Sequence, residues 1–159
     1  MAPGIDVRHD HTEASSSDGS PDDNKAVTTT DSATLLRLSQ DLLDSIDQRD
    51  WDTYKQLCDK TLSAFEPEAA GHLVEGMPFH EYYLSPGPDS LARQSTISSP
   101  HFRVMGDVAV VSYIRLQQAT DDAGVTTTRA MEETRIWQLQ DGHWQHVHFH
   151  RSPAGSLTL

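Results

Sequence analysis

Apolar residues recur at helical spacing near position 40. Leu35, Leu38, Leu42, Leu43 and Ile46 share one side, with Asp41, Asp44 and Asp47 on the other. The pattern predicts a long helix, capped at Asp31 or Ser32 and running to about Arg49. Asp50 is suited to cap a second, short helix whose Trp51, Tyr54, Leu57 and Cys58 share a face. After Lys60 the period changes. Residues 61–66 read as a strand ended by Pro67, and residues 71–76 as a short strand or a turn. Pro78 opens a brief helix through Leu84, because proline suits the first helical position. Residues 85–89, Ser-Pro-Gly-Pro-Asp, form a loop by composition.

The remainder alternates as strands do. Residues 94–104 form a candidate strand broken near Pro100, and Gly106-Asp107 turns into a strand over 108–119. Residues 121–124 turn into a strand over 126–139. Asp141-Gly142 is a hairpin signal before a last strand over 144–151. Helices followed by an antiparallel meander predict an α+β fold with the long N-terminal helix lying on one sheet face. Val108, Val110, Ile114 and Leu116 have one parity, and Val111, Tyr113 and Arg115 the other. Both faces are thus partly apolar, whereas a sheet with one face in water alternates more cleanly. The helix covers one face. A second subunit is the expected cover for the other.

Composition sharpens the boundaries. Residues 1–34 hold ten Ser or Thr and no aromatic residue, with seven acidic against two basic residues, a net charge of −5. Such a segment buries too little apolar surface to order itself. The expected division is a disordered acidic tail over 1–32, one folded domain over 33–155, and a short C-terminal tail over 156–159. Within the whole-chain charge of −12, residues 35–159 carry −7, which argues against nucleic acid and an anionic membrane surface as partners. One cysteine, Cys58, excludes an internal disulfide and fits a reducing compartment. With no leader-like N-terminus and no spanning-length apolar run, a cytoplasmic protein is expected.

Three arginines in apolar strand contexts are the candidate chemistry: Arg115, Arg135 and Arg151. A guanidinium is seldom buried unless it is paired or lines a cavity. On a curved sheet the three would converge and bind a carboxylate through charge-assisted bonds. The alternative is that each pairs with an internal acid such as Glu133, Glu66 or Glu68, or extends to water at a sheet edge. His146, His148 and His150 have strand spacing and are expected on one face. They span too far to hold one zinc ion together, so a metal site would need His143 or Glu132, and polar contacts at an interface are the plainer reading. His80, with Tyr82, Tyr83 and Glu75, would suit acid–base chemistry or simple packing. Cys58 reads as an inert buried thiol rather than a nucleophile. The chain has neither a glycine-rich phosphate loop nor a basic helix of the calmodulin-target type.

Several strings occur together in order: Phe65-Glu-Pro-Glu-Ala69, Leu73-Val-Glu-Gly76 with Phe79-His80, Pro100-His101, Met105-Gly106 and Tyr113-Ile-Arg-Leu116. They continue with Glu132-Glu-Thr-Arg-Ile-Trp137, Asp141-Gly142, Trp144 and Val147-His-Phe-His-Arg-Ser152. Over about residues 33–155 the chain resembles the association (hub) domain of calcium/calmodulin-dependent protein kinase II. The resemblance implies a cone-shaped nuclear transport factor 2-like fold, a long helix on a strongly curved antiparallel sheet. It implies a non-catalytic scaffold that needs no cofactor or metal. Subunits would close into a stacked double ring, dodecamer-like or larger, through heterologous contacts around the ring and two-fold contacts between its layers. Its pocket arginines match Arg115, Arg135 and Arg151 and its pocket histidine matches His80, which implies a site for a small carboxylate or an acidic peptide segment. Calmodulin binding belongs to the family, whose hub carries kinase domains on an N-terminal linker; this chain reads either as a free-standing hub, which its tail favours, or as one cut from a longer chain. The family's aromatic-bearing loop is replaced by residues 85–90, and Pro153 stands where glycine is usual. An isomerase or dehydratase on the same fold, with His80, Tyr83 and Glu75 as its acid–base set, is the alternative.

Overall fold

The apolar stripe of the first helix meets the sheet as its period requires. The computed structural model of the chain describes residues 29–85 and 92–155. Residues 1–28 of the expected tail, the C-terminal residues 156–159 and most of the loop after residue 85 lie outside the described residues. Helix α1 (Thr29–Gln48) begins inside the segment assigned to the tail. It is followed by α2 (Trp51–Leu57), β1 (Cys58–Phe65), a 3-10 turn (Pro67–Ala69), β2 (Val74–Glu75) and α3 (Pro78–Leu84). Strands β3 (Ala92–Met105), β4 (Val108–Thr120), β5 (Thr126–Gln140) and β6 (His143–Pro153) complete the described chain. Asp50 caps α2 as expected, its Oδ1 accepting from the Thr53 amide at 3.1 Å. Cys58, expected on that helix, is instead the first residue of β1, so the strand starts earlier than the period change suggests.

The strands form one curved, open sheet in the order β2-β1-β6-β5-β4-β3. Strands β3 to β6 make the expected antiparallel meander. Asp141 and Gly142 both take positive φ, 50° and 81°, as a two-residue hairpin turn requires. One expectation fails: the sheet is not wholly antiparallel, because β1 pairs parallel with β6. Local patterning does not encode such long-range parallel pairing. Pro100 does not break β3 either. It sits at a bulge between Ser98 and His101 on the sheet's edge, where proline removes no ladder bond that matters.

A second bulge re-aims a set of side chains. Ile136 faces His148 on β6, but Trp137 faces His146, so β6 carries one extra residue there. An inserted residue flips the alternation beyond it. His146 therefore points inward and is fully buried, whereas His148 and His150 stay on the outer face. The expectation that the three histidines share a face is wrong for this reason.

Leu35, Leu42 and Leu43 of α1 are fully buried in one core with Leu62 and Ala64 of β1, Ala109 and Val111 of β4, Trp137 of β5 and Phe149 of β6. Gln40 Nε2 donates to the Ser95 carbonyl at 2.9 Å and ties α1 to β3. On the sheet's other face Val110, Ile114, Leu116 and Ile136 are only half-buried, and no described element covers them. No helix among the described residues is long and apolar enough to cross a membrane.

Candidate functional site

Strand alternation places Arg115 of β4, Glu133 and Arg135 of β5 and Arg151 of β6 on the inner face. These residues, or their immediate partners, surround one cavity of about 160 Å³. The four residues singled out from sequence, Arg115, Arg135, Arg151 and His80, all line it. Each arginine also has an internal acid, which is the pairing weighed against a carboxylate site, and all three line the cavity as well. Arg135 is 1% exposed. Its Nη2 donates to Glu133 Oε2 at 2.7 Å, its Nε to the Tyr113 hydroxyl at 2.7 Å, and its guanidinium lies 4.7 Å from the Phe149 ring centre. Tyr113 passes the chain on, donating to Glu133 Oε2 at 2.8 Å. Arg115 donates to Ser95 Oγ at 2.8 Å and to Asp47 Oδ1 at 3.0 Å, and its Nη1 lies 3.5 Å from Glu133 Oε1. Arg151 donates to Glu66 Oε2 at 3.1 Å and to Glu68.

Asp47 corrects the sequence reading. It was placed on the polar side of the first helix, yet its side chain is 4% exposed and is the partner of Arg115. The helix's last turn sets it against Arg115 of β4, where a buried cation holds it.

The protonation states follow from burial and neighbours. Burial pushes Glu133 upward, but Arg135 and Arg115 outweigh it, so its carboxyl is held below the usual range. Glu66 is raised, because burial wins over its contact with Arg151. His80 is pushed down to about 4, first by burial and then by Arg135 and Arg151. A neutral His80 makes no ion pair with Glu66, and its Nδ1 lies 3.6 Å from Glu66 Oε1, beyond hydrogen-bond reach. Glu66 Oε1 and His80 Nε2 have no hydrogen-bond partner among the described residues. His146 is driven well down by burial and by Arg135. Its Nε2 lies 3.2 Å from Arg135 Nη1, and a guanidinium can only donate, so the imidazole accepts there. The other ring nitrogen faces Cys58 Sγ at 3.5 Å. Burial pushes that thiol up to about 12, which leaves it inert.

The other candidates disperse. Tyr83 lines the cavity beside His80, but Glu75 lies on the short edge strand β2, and Tyr82 is 77% exposed. Glu66 occupies the place beside His80 that was assigned to Glu75. His143 is exposed and contacts the Asp141 carbonyl, while Glu132, His148 and His150 lie on the opposite face. Two charged lining residues were missed from sequence: Arg49, half-buried just past the end of α1, and Arg93, exposed at the start of β3. Neither touches a carboxylate among the described residues. Arg49 donates instead to the Ser85 carbonyl at 3.0 Å.

The geometry agrees with what comparison finds. The family model described as the calcium/calmodulin dependent protein kinase II association domain matches residues 31–155. The calcium/calmodulin-dependent protein kinase type II alpha chain of Drosophila melanogaster is 40% identical over 127 residues, covering 78% of this chain and 24% of that one. The chain spans about a quarter of the length of the curated relatives it matches. The hub homology domain of Chlamydomonas reinhardtii superposes with a TM-score of 0.72 at 44% identity, covering 78% of this chain and 98% of that one. The association domain of the C. elegans kinase gives 0.73 at 39% identity, covering 77% and 95%. A nuclear transport factor 2-like protein from Cytophaga hutchinsonii, 21% identical with a TM-score of 0.64 over 77% of this chain and 98% of that one, shares the fold alone.

Proposed function

The chain belongs to the calcium/calmodulin dependent protein kinase II association-domain family, and from that premise we propose that it is a non-catalytic oligomerisation hub. It closes into a double-ring homo-oligomer, dodecamer-like or larger, in the cytoplasm. The observation that carries the reading is the uncovered sheet face. Val110, Ile114, Leu116 and Ile136 form half-buried rows there, set among Ser112, Thr134, His101, His148 and His150. Such a face is too apolar for water and nearly neutral, so it suits a copy of itself related by a two-fold axis. The region matched is the association domain and not the kinase domain. A non-catalytic role is in keeping with the cavity wall, where His80 Nδ1 and Glu66 Oε1 lie 3.6 Å apart, beyond hydrogen-bond reach.

The cavity binds a carboxylate, from a small acid or an acidic peptide segment. The incoming group takes the place of Glu68 on Arg151, with Arg115, Arg135 and His80 forming the wall behind it. Glu68 is the replaceable partner, since its side chain is 38% exposed. Occupancy stabilises whichever assembly presents the closed cavity, through linkage. A kinase carrying an acidic segment would be one such partner.

Native mass spectrometry of the full chain, backed by light scattering, tests the assembly. The expected result is a single even multiple of 17.7 kDa. Ile136→Glu should break it into smaller units that keep their secondary structure. A monomer at micromolar concentration for the natural chain would overturn the hub reading.

A further inference from the structure

The cations around the cavity fall into two groups by what neutralises them. Arg115, Arg135 and Arg151 form the inner group, and each contacts one or two carboxylates. Arg49 and Arg93 form an outer group on the rim, with no carboxylate contact among the described residues. Arg49 holds a backbone φ of 57°, the left-handed conformation that closes helices and that glycine adopts without strain. An arginine there is costly for folding, yet it brings a half-buried residue with a guanidinium into the cavity lining. Deeper in, Glu66 Oε1 and His80 Nε2 have no partner, and His80 is 5% exposed. Of the two, His80 Nε2 is the atom placed to serve an acid that enters, since the Glu66 oxygen can only accept.

The charges around the cavity can be counted. Once Glu68 swings into the solvent that already reaches it, the five arginines face Asp47, Glu66 and Glu133, with His80 neutral. Among the described residues two positive charges, Arg49 and Arg93, are then without a contacting carboxylate. A monoanion leaves one of them, and a dianion leaves none. The cavity of about 160 Å³ has room for a short acid.

We infer that the cavity's ligand is a short-chain dicarboxylate, with one carboxylate on the inner arginines in place of Glu68 and the second at Arg49 and Arg93. The inference rests on the carboxylate reading of the cavity and adds the second anionic group to it. Charge-assisted bonds to two separated guanidinium groups select both the number of anionic ends and their spacing.

Calorimetric titration of the full chain with glutarate and with butyrate, at equal ionic strength, tests it. Glutarate is expected to bind at least tenfold tighter than butyrate. The Arg49→Gly/Arg93→Gln double variant should erase that advantage while butyrate affinity stays within threefold. Glycine suits the left-handed φ at 49, so the variant should fold, and an unchanged thermal midpoint verifies this. Equal affinities in the natural chain, or a variant that loses both acids alike, would overturn the dicarboxylate assignment and leave the carboxylate site standing. Binding of neither acid would overturn the carboxylate reading and this inference with it.

Discussion

Acid should destabilise this fold from about pH 6.5 downward, and His80 makes the effect measurable. Its ring is wedged between Tyr54 and Phe149, with centroids 5.8 Å from each, and both Arg135 and Arg151 repel a proton on it. The folded chain holds its pKa at about 4, whereas an unperturbed histidine titrates near 6.5. Between those values the unfolded chain binds a proton that the folded chain refuses. Stability therefore rises with pH across the window, and is lost as pH falls from 6.5 toward 4. Integrated from pH 8 to pH 5, the loss from His80 is about 2 kcal/mol. His146 adds a loss of the same sign, so the comparison must be differential. Urea unfolding at pH 8, 6 and 5, at one protein concentration, should show His80→Gln losing about 2 kcal/mol less than the natural chain between pH 8 and 5. Identical pH dependence would refute the reasoning. A variant more sensitive to acid than the natural chain would mean that His80 is a cation paired with Glu66, the opposite of the assignment made from its burial.

Three further outcomes test the network behind the cavity. Glu133→Ala strands Arg135 and Arg115 with too little countercharge, and should cost roughly 3–5 kcal/mol in urea unfolding; a loss below about 1 kcal/mol would show that water or Asp47 already balances them. Glu68→Gln should cost less than about 1 kcal/mol, because the pair it breaks is partly exposed, and should raise butyrate affinity several-fold in calorimetry; an unchanged affinity would show that Glu68 does not occupy the ligand's place. Cys58 should resist iodoacetamide at pH 8 in the native chain and react once the chain is unfolded in urea, and prompt native-state alkylation would contradict its burial.

Much of this fold is legible locally, and the misses share one cause. The helix stripe from Leu35 to Ile46, the Asp50 cap, Pro78 at the start of α3 and the Asp141-Gly142 turn are each set by a few adjacent residues, and each is found where patterning puts it. The three arginines were legible because apolar neighbours on alternating strands leave a guanidinium nowhere to go but inward. What escaped was set by contacts distant in sequence. The parallel pairing of β1 with β6 joins residues more than eighty positions apart, such as Cys58 with His146. The bulge that turns His146 inward inserts one residue, and no glycine or proline marks it. Asp47 looks like a solvent-side aspartate until Arg115, on a strand far along the chain, is placed beneath it. Arg49 did carry a signal. It stands just past the end of a helix, where glycine is expected, and the departure from that preference coincides with its place on the cavity rim.

The buried charges bear on why the cavity exists at all. A buried ion pair is weak support for stability, since an apolar replacement of similar volume often does as well or better. This chain instead gathers Asp47 from α1, Glu66 and Glu68 from the end of β1 and the turn after it, Arg115 from β4, Glu133 and Arg135 from β5 and Arg151 from β6. Nearly every layer of the fold contributes one member. Register is where such a network acts most strongly. A one-residue slip of β4 against β5 would carry Tyr113 away from Glu133 and turn Arg115 onto the apolar outer face, leaving Asp47 buried alone. The same dependence makes the cavity a point of control. Its acids hold the wall together, so the proposed ligand would enter by replacing one of them. Arg151 and Glu68 form the one contact in the set with an exposed partner, and displacement there leaves the α1–β4–β5 part of the network intact. Occupancy would then alter the turn after β1 while the helix stays docked on its sheet, and that turn is where a bound acid would be felt by a neighbouring subunit.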